Sequence, residues 1–276
     1  MGNVKGVIVA EAADIIAKFG AVEDDQRYTR LVELFTDDAI YYDPFMGPQR
    51  GTTEIRTFME HMEKMVPAAG ARFDAWDISA GTTVAWAKWT MYARGADGEV
   101  GIPGQSIYRL RNDGNGLKVC FVADYLDSSA YAKLSRDRIP DMTTPATLPK
   151  GTAQQGTGHD LIRTFWKMQD TRQYAQLADL FTDDSVFTDQ VYGRFEGIDA
   201  VRNYLKRMDT EMPAGGVTFD LVDCAGDETV GWSQWTCNVP QGSFPGWTLH
   251  NIRDGKFTLD SDYFDVVLAR KLRPKA

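Results

Sequence analysis

The chain carries one sequence twice, and this internal duplication constrains the fold more than any other feature. The pentapeptide Leu-Phe-Thr-Asp-Asp occupies residues 34–38 and again residues 180–184, an offset of 146 residues. The same offset aligns Asp43 with Asp189 and pairs tryptophans, glycines and apolar residues along most of each half. Later in each copy the offset falls to 142 and then to 138, as expected if loops between strands lost residues. The sequence therefore predicts two tandem domains of one fold.

The boundary between the copies is marked by composition. Residues 136–156 include Pro140, Pro145 and Pro149 and have almost no apolar periodicity, which is typical of a linker. We therefore predict a first domain over residues 1–135, a linker over 136–156 and a second domain over 157–276, each large enough to bury its own core.

Within the first copy, apolar spacing changes from helical to strand-like along the chain. Residues 12–35 predict a long helix followed by a shorter one, and residues 51–66 predict a third helix that Pro67 closes. The strand candidates, alternating and rich in aromatic and β-branched residues, are 39–43, 73–78, 83–92, 105–111 and 117–126. Helices first and an antiparallel sheet afterwards indicate an α+β fold.

Composition excludes several classes of function. The formal net charge is −9 and no run of Lys or Arg forms a basic patch, so we expect no nucleic-acid partner. Glu11 and Asp14 interrupt the only apolar stretch near the start, so no membrane span is expected. Three cysteines without a Cys-x-x-Cys spacing favour reduced core residues in a cytoplasmic protein. Three scattered histidines predict no metal site, and the absence of nucleotide-binding motifs predicts no cofactor.

The segment FTDDAIYYDPFMGPQRGTTEIRTFM at residues 35–59 resembles the stretch around the general base of ketosteroid isomerase. By this likeness the chain is identified as a tandem member of the nuclear transport factor 2-like superfamily, which includes SnoaL-like cyclases and scytalone dehydratase. The resemblance implies two cones, each a curved antiparallel sheet wrapped around about three helices with a pocket at one end. It also implies that Asp43 is the base, and that Asp189, followed by Gln190 instead of proline, is its weaker counterpart.

Two positions depart from the steroid isomerase. Phe19 stands where the isomerase has a helix tyrosine, and Tyr108 in the first copy and His250 in the second stand where it has a strand aspartate. The paired oxyanion hole of that enzyme is therefore not intact, and we do not predict steroid isomerisation.

Three residues of the first copy are the catalytic candidates. Asp43 in an apolar pocket can move a proton, or it can simply cap the turn that follows it. Strand alternation turns Tyr108 inward, as a donor to a developing oxyanion or as a core residue. The same alternation directs Asp124 inward, giving two carboxyl groups in one pocket. Asp127 and Asp265 are expected to cap the last helix of each copy, although the resemblance allows a catalytic role.

The predicted substrate-binding residues are mainly aromatic. By family analogy Trp89 faces the pocket, and its neighbour Trp86 faces the back of the sheet, where the two copies are expected to pack as an intrachain pseudo-dimer. His61 borders the apolar stripe of its helix, so it reaches the pocket mouth or has only a structural role. Tyr41, Phe19 and Phe58 complete the predicted pocket.

The functional hypothesis is a cofactor-independent lyase that uses acid–base chemistry on a small aromatic molecule. The aromatic-rich tandem resembles the bacterial diarylpropane lyases of lignin-dimer catabolism, which release formaldehyde. Two alternatives stay open: an isomerase, dehydratase or cyclase of a steroid-like or polyketide-like substrate, and a non-catalytic binding module. The copies differ most at their sites, which favours the first for chemistry and the second as a scaffold or diverged pocket. Whether the chain also forms a homo-oligomer stays open.

Overall fold

The computed structural model describes residues 4–22, 25–134 and 157–272, with side chains from residue 11 in the first range and residue 158 in the last. The chain divides into two compact units, residues 1–153 and 154–276. The predicted linker, residues 136–156, lies outside the described residues, so its boundaries stay a prediction.

The two units repeat one order of elements. The first contains α1 (Val4–Ala21), a 3-10 helix (Tyr28–Leu34), β1 (Phe35–Asp43), β2 (Gly47–Arg50), α2 (Gly51–Ala68), β3 (Arg72–Ala80), β4 (Val84–Gly95), β5 (Gly98–Asn112), β6 (Leu117–Leu126) and α3 (Ser128–Leu134). The second contains α4 (Thr157–Asp170), α5 (Tyr174–Leu177), a 3-10 helix (Ala178–Leu180), β7 (Phe181–Asp189), β8 (Gly193–Glu196), α6 (Ile198–Ala214), β9 (Thr218–Gly226), β10 (Val230–Val239), β11 (Gly242–Arg253), β12 (Lys256–Phe264) and α7 (Val266–Leu272).

Each unit has one six-stranded sheet, in the orders β2-β1-β6-β5-β4-β3 and β8-β7-β12-β11-β10-β9. The predicted α+β fold class is confirmed for both units. Pairing is antiparallel except between β1 and β6 and between β7 and β12, which run parallel. The sheets are antiparallel as predicted apart from this one pair in each unit, which the sequence did not predict. In the first unit β2, α2 and three further strands lie between β1 and β6.

Three predicted elements change at their ends. The shorter helix after α1 is a 3-10 helix, Tyr28–Leu34, and β1 begins directly after it at Phe35 instead of at residue 39. Pro67 does not close α2 but lies in its last turn. That turn still forms, because the Ala69 N–H donates to the Met65 carbonyl and a proline this late removes only one internal hydrogen bond.

Matching bulges bend the two sheets at the same positions. The β3–β4 register slips at Trp76 and the β9–β10 register slips at the equivalent Val222. A bulged residue leaves the regular alternation, which explains why these two apolar side chains are 60% and 42% exposed. A second slip falls at Cys120 in β6 and at the equivalent Thr258 in β12. Bulges increase strand twist, so their conservation between copies gives both units the same curvature.

The first change of offset between the copies comes from the strands and not from a loop. A two-residue turn joins β4 to β5 and also joins β10 to β11, but the second hairpin is shorter on both arms, with Trp235 opposite Gly246 as Trp89 is opposite Gly104. Removal of residues in pairs keeps the period-two alternation, so every inward side chain stays inward. The prediction of a shortened loop at this point is therefore wrong. The later turn between β5 and β6 is longer than its counterpart, as predicted.

The concave face of the first sheet holds the main core, where Ile16, Phe35, Ile55, Met59 and Leu110 are almost fully buried. Helices α1 and α2 supply the apolar stripes that cover it, as their spacing predicts. The three cysteines are free thiols and buried, which confirms their assignment to the cores. Within the described ranges, no helix is long and apolar enough to cross a membrane.

Candidate active site

A cavity of about 250 Å³ lies between the concave sheet face and the helices of the first unit. It exceeds the roughly 150 Å³ engineered protein cavity that binds benzene, so a substituted aromatic molecule fits this volume. All the predicted catalytic and binding residues line it, namely Asp43, Tyr108, Asp124, Trp89, His61, Tyr41, Phe19 and Phe58. The fold thus brings together side chains that are separated by up to about a hundred residues in the sequence.

Asp43 ends β1 and faces the cavity. Its Oδ1 accepts the backbone N–H groups of Phe45 and Met46, both at 2.8 Å, so it caps the turn between β1 and β2. The two interpretations of Asp43 are compatible, because one carboxylate oxygen organises the turn while the residue still borders the cavity. The turn fixes the position of the carboxylate, which a base in a defined geometry requires.

Asp124 lies near the end of β6, and two hydroxyl groups hold its carboxyl. Ser106 donates to Oδ1 and Tyr41 donates to Oδ2, both at 2.5 Å. Burial raises the pKa of Asp124 to about 7, the two hydrogen bonds oppose this, and the charge of Asp43 adds to it. A carboxyl with this pKa is partly protonated near neutral pH and can act as an acid.

The two tyrosines of the site keep their protons. Burial and the charge of Asp124 raise the pKa of Tyr41 well above its usual range, and the same two causes raise that of Tyr108. The Tyr41 hydroxyl therefore stays protonated and donates its hydrogen bond to Asp124. The ring of Tyr108 packs edge-on against Phe19 at 5.4 Å and borders the cavity with a neutral phenol.

A chain of two hydrogen bonds behind Asp124, here called the relay, was not predicted from the sequence. The indole Nε1–H of Trp89 donates to Ser106 Oγ at 2.9 Å, and Ser106 in turn donates to Asp124. The Trp89 ring lies over Gly104, where an added Cβ would come within 2.4 Å of ring carbons. Ser106 and Trp89 thus hold the Asp124 carboxyl group in position. Their signal was present in the repeat, since the second copy has a hydroxyl residue, Thr248, and a tryptophan at the same places.

The remaining binding residues surround the apolar volume. Tyr41 and Phe58 form a tilted ring pair with centroids 5.0 Å apart, and Phe19 packs on the other side. His61 is exposed on α2 and borders the cavity only at its edge, beside the exposed Met65. The structure therefore brings His61 to the mouth and not to Asp43 or Asp124.

The aspartates that precede the last helices act as caps. Asp127 Oδ1 accepts the N–H groups of Ser129 and Ala130, and Asp265 Oδ1 accepts that of Leu268. Asp127 does not line the cavity of the first unit, and Asp265 does not line the cavity found in the second. Their predicted capping role is confirmed.

The second unit repeats only part of this site. Trp235 donates to Thr248 at 2.8 Å and Thr248 donates to Asp262 at 2.6 Å, so the relay is retained. His250, the counterpart of Tyr108, does not border the second cavity. It is fully buried beside Asp260, with Nδ1 3.1 Å from a carboxyl oxygen.

In the described ranges, no three His, Cys, Asp or Glu side chains are grouped to hold a metal ion. The chemistry that these residues support is proton transfer between two carboxyl groups in different environments, assisted by a neutral phenol.

A family model for the SnoaL-like domain matches the chain twice, over residues 16–116 and 162–259. No curated protein sequence matches the chain significantly. Solved structures to which parts of this chain are similar include three nuclear transport factor 2-like proteins. The one from Cytophaga hutchinsonii is 16% identical, with 43% of this chain matching 97% of it at a TM-score of 0.35. The one from Novosphingobium aromaticivorans, with a cystatin-like fold, is 16% identical over 47% of this chain and 90% of its own, at a TM-score of 0.35. The one from Mesorhizobium loti is 21% identical over 38% of this chain and 88% of its own, at a TM-score of 0.34.

Proposed function

We propose that this chain, which belongs to the SnoaL-like domain family, is an enzyme that carries out acid–base chemistry on a small aromatic molecule in its first cavity, without a cofactor. The observation that supports this most is that two carboxyl groups of one apolar cavity have different environments. Asp43 is held by backbone N–H groups, whereas burial raises the pKa of Asp124 to about 7. Environments that separate two carboxyl groups in this way assign one as base and the other as acid.

In the reaction that we favour, the substrate is a diarylpropane diol with a para-hydroxyl on one ring. Asp124 protonates the departing benzylic hydroxyl, which leaves as water while the phenol gives its proton to solvent and forms a quinone methide. Asp43 then takes the proton of the neighbouring hydroxymethyl group. The carbon–carbon bond breaks, its electrons restore the aromatic ring as a phenolate, and formaldehyde leaves with a stilbene. The phenolate takes a proton from solvent, and proton exchange with solvent returns Asp43 and Asp124 to their starting states. One diol thus gives one stilbene, one formaldehyde and one water.

The same residues support an isomerase, dehydratase or cyclase as a second candidate. The observation in its favour is that Tyr108 and Asp124 border one cavity and each can donate a proton, so together they can hold a developing enolate oxygen while Asp43 moves a proton. The two candidates differ in the bond that breaks and not in the roles of the residues.

The test is product formation by the full chain and by Asp124→Asn, which keeps the shape of the side chain but cannot supply a proton. We expect formaldehyde and stilbene in equal amounts from the diol, and a loss of about 10²- to 10⁴-fold in kcat for the variant. Asp262→Asn is the matched control in the second unit and should keep the rate. An isomerised enone from an unsaturated ketosteroid, with no formaldehyde from the diol, would instead support the second candidate. Binding of both compounds without any turnover would overturn the enzyme proposal in favour of a binding module.

A further inference from the structure

The second unit has a cavity of its own, of about 230 Å³, lined mainly by aromatic and aliphatic side chains. Its polar border contains Asp189 and Asp262, the counterparts of Asp43 and Asp124. The volume and the two carboxyl groups have therefore both been retained after duplication.

One hydroxyl group has changed place between the copies. The ring pair Tyr41 and Phe58 of the first unit, with centroids 5.0 Å apart and planes at 47°, corresponds to Phe187 and Tyr204 in the second, at 4.9 Å and 46°. The rings superpose in geometry, but the phenol has moved from the strand residue to the helix residue. The packing is conserved while the hydrogen bonding is not.

The exchange moves the phenol from one carboxyl group to the other. In the first unit Tyr41 donates to Asp124 at 2.5 Å, whereas Tyr204 donates to Asp189 at 3.2 Å. Asp262 keeps the bond from Thr248 but has lost the counterpart of the Tyr41 bond. Burial raises the pKa of Asp262 well above its usual range, with the charge of Asp260 and that of Asp189 adding to it. These causes favour the protonated form of Asp262, in which the carboxyl group can donate a hydrogen bond into the cavity.

The floor of the second cavity is also different. Trp166 stands at the position of Gly20 and packs against Trp235 at 5.8 Å and Phe219 at 6.1 Å. His250, the counterpart of Tyr108, does not border this cavity and so offers no donor there. The aromatic side chains of this cavity favour an aromatic ligand, and the two nearby carboxyl groups disfavour an anion.

We propose that the second cavity is a binding site in its own right for a neutral aromatic compound with a hydroxyl or carbonyl oxygen, which Asp262 and the Tyr204–Asp189 pair recognise. Asp262 donates to an acceptor oxygen of the ligand, and Asp189, oriented by Tyr204, accepts from a ligand hydroxyl. The proposal goes beyond the proposed function, because it requires binding in the second unit and no turnover.

The test uses the full chain with 4-hydroxyacetophenone as the probe and the indole N–H signals of Trp235 and Trp89 as reporters of the two cavities. The signals are assigned with the Trp235→Phe and Trp89→Phe variants. We expect the Trp235 signal to move saturably, with a Kd on the order of 0.1–1 mM for a ligand of this size. At about pH 6 the anion 4-hydroxybenzoate should bind at least about tenfold more weakly, because its carboxylate is ionised there.

The matched variants Tyr204→Phe and Tyr41→Phe each remove one hydroxyl and keep the ring pair. Tyr204→Phe should weaken the affinity measured at Trp235 by about five- to twentyfold, because Asp189 is then no longer held in position and its buried hydrogen bond to the ligand is lost. Tyr41→Phe should leave that affinity unchanged. A Trp235 signal that stays still while the Trp89 signal saturates would overturn the proposal. Equal affinity in Tyr204→Phe, or equally tight binding of 4-hydroxybenzoate, would also overturn it.

Discussion

The Ser106→Ala substitution tests the electrostatics of the first cavity directly, because it removes the hydroxyl that donates to Asp124 Oδ1 at 2.5 Å. A hydrogen bond to an ionised group contributes about 1.5–3 kcal/mol, whereas one to a neutral group contributes about 0.5–1.5 kcal/mol. The bond therefore favours the carboxylate over the acid by roughly 1–1.5 kcal/mol, or about one pKa unit. Burial already raises the pKa of Asp124 to about 7, so the variant should titrate near pH 8.

The assay is a pH titration of the side-chain carboxyl carbon of Asp124, followed by NMR with labelled aspartate. Asp124→Asn removes the signal and so assigns it. Thr248→Ala, the equivalent change in the second unit, is the matched control and should leave the Asp124 titration in place. An Asp124 that titrates near pH 4 in the wild type, or whose pKa falls in Ser106→Ala, would refute the assigned environment.

The same pKa has a consequence for stability. Between the usual value of 3.8 and about 7, the folded chain keeps a proton on Asp124 that the unfolded chain has released. The contribution of Asp124 to stability is therefore fully present below pH 3.8 and is lost as the pH rises through 7. At about 1.36 kcal/mol per unit, the loss amounts to about 4 kcal/mol. Asp124→Asn should remove this slope, as measured by urea unfolding followed at the Trp89 indole signal. An unchanged slope in the variant would contradict the raised pKa.

Two further predictions concern positions that the repeat singles out. Gly104→Ala should displace the Trp89 ring, because the new Cβ would lie 2.4 Å from it. We expect the free energy of unfolding, measured in urea, to fall by about 1–3 kcal/mol. A loss below about 0.5 kcal/mol would contradict the close packing. Burial lowers the pKa of His250 to about 3 and raises that of Asp260, so between pH 3.8 and 6.5 the first group gains stability as the pH rises and the second loses it. His250→Phe should remove the contribution of His250 to this pH dependence and keep that of Asp260. The free energy of unfolding of the second unit should then fall as the pH rises from 4 to 6.5. A rise over this range would contradict the predicted sign.

Much of the fold follows from the sequence, because the repeat is visible when the two halves are compared and strand alternation is visible among neighbouring residues. The repeat predicts two units, and period-two alternation directs Tyr108 and Asp124 to one face of the sheet, where the structure places them. The parallel pairing of β1 with β6 was not predicted, since it joins strands far apart in the sequence and no local pattern encodes it.

The site was predictable as a set of residues but not as a network. Tyr41 was expected to contact substrate, yet its hydroxyl is bonded to Asp124, 83 residues away, through a geometry that only the folded sheet creates. Alignment of the copies paired Tyr108 with His250 but could not show that only Tyr108 borders a cavity.

The central claim is that Asp43 moves a proton in the first cavity, and the most direct test is single-turnover kinetics of Asp43→Asn beside Asp189→Asn. With the diarylpropane diol as substrate, we expect Asp43→Asn to lower the rate of the chemical step by about 10²- to 10⁴-fold, with the substrate Kd changed less than about threefold. Asp189→Asn should keep the wild-type rate. A wild-type rate in Asp43→Asn, or a loss confined to Asp189→Asn, would contradict the claim.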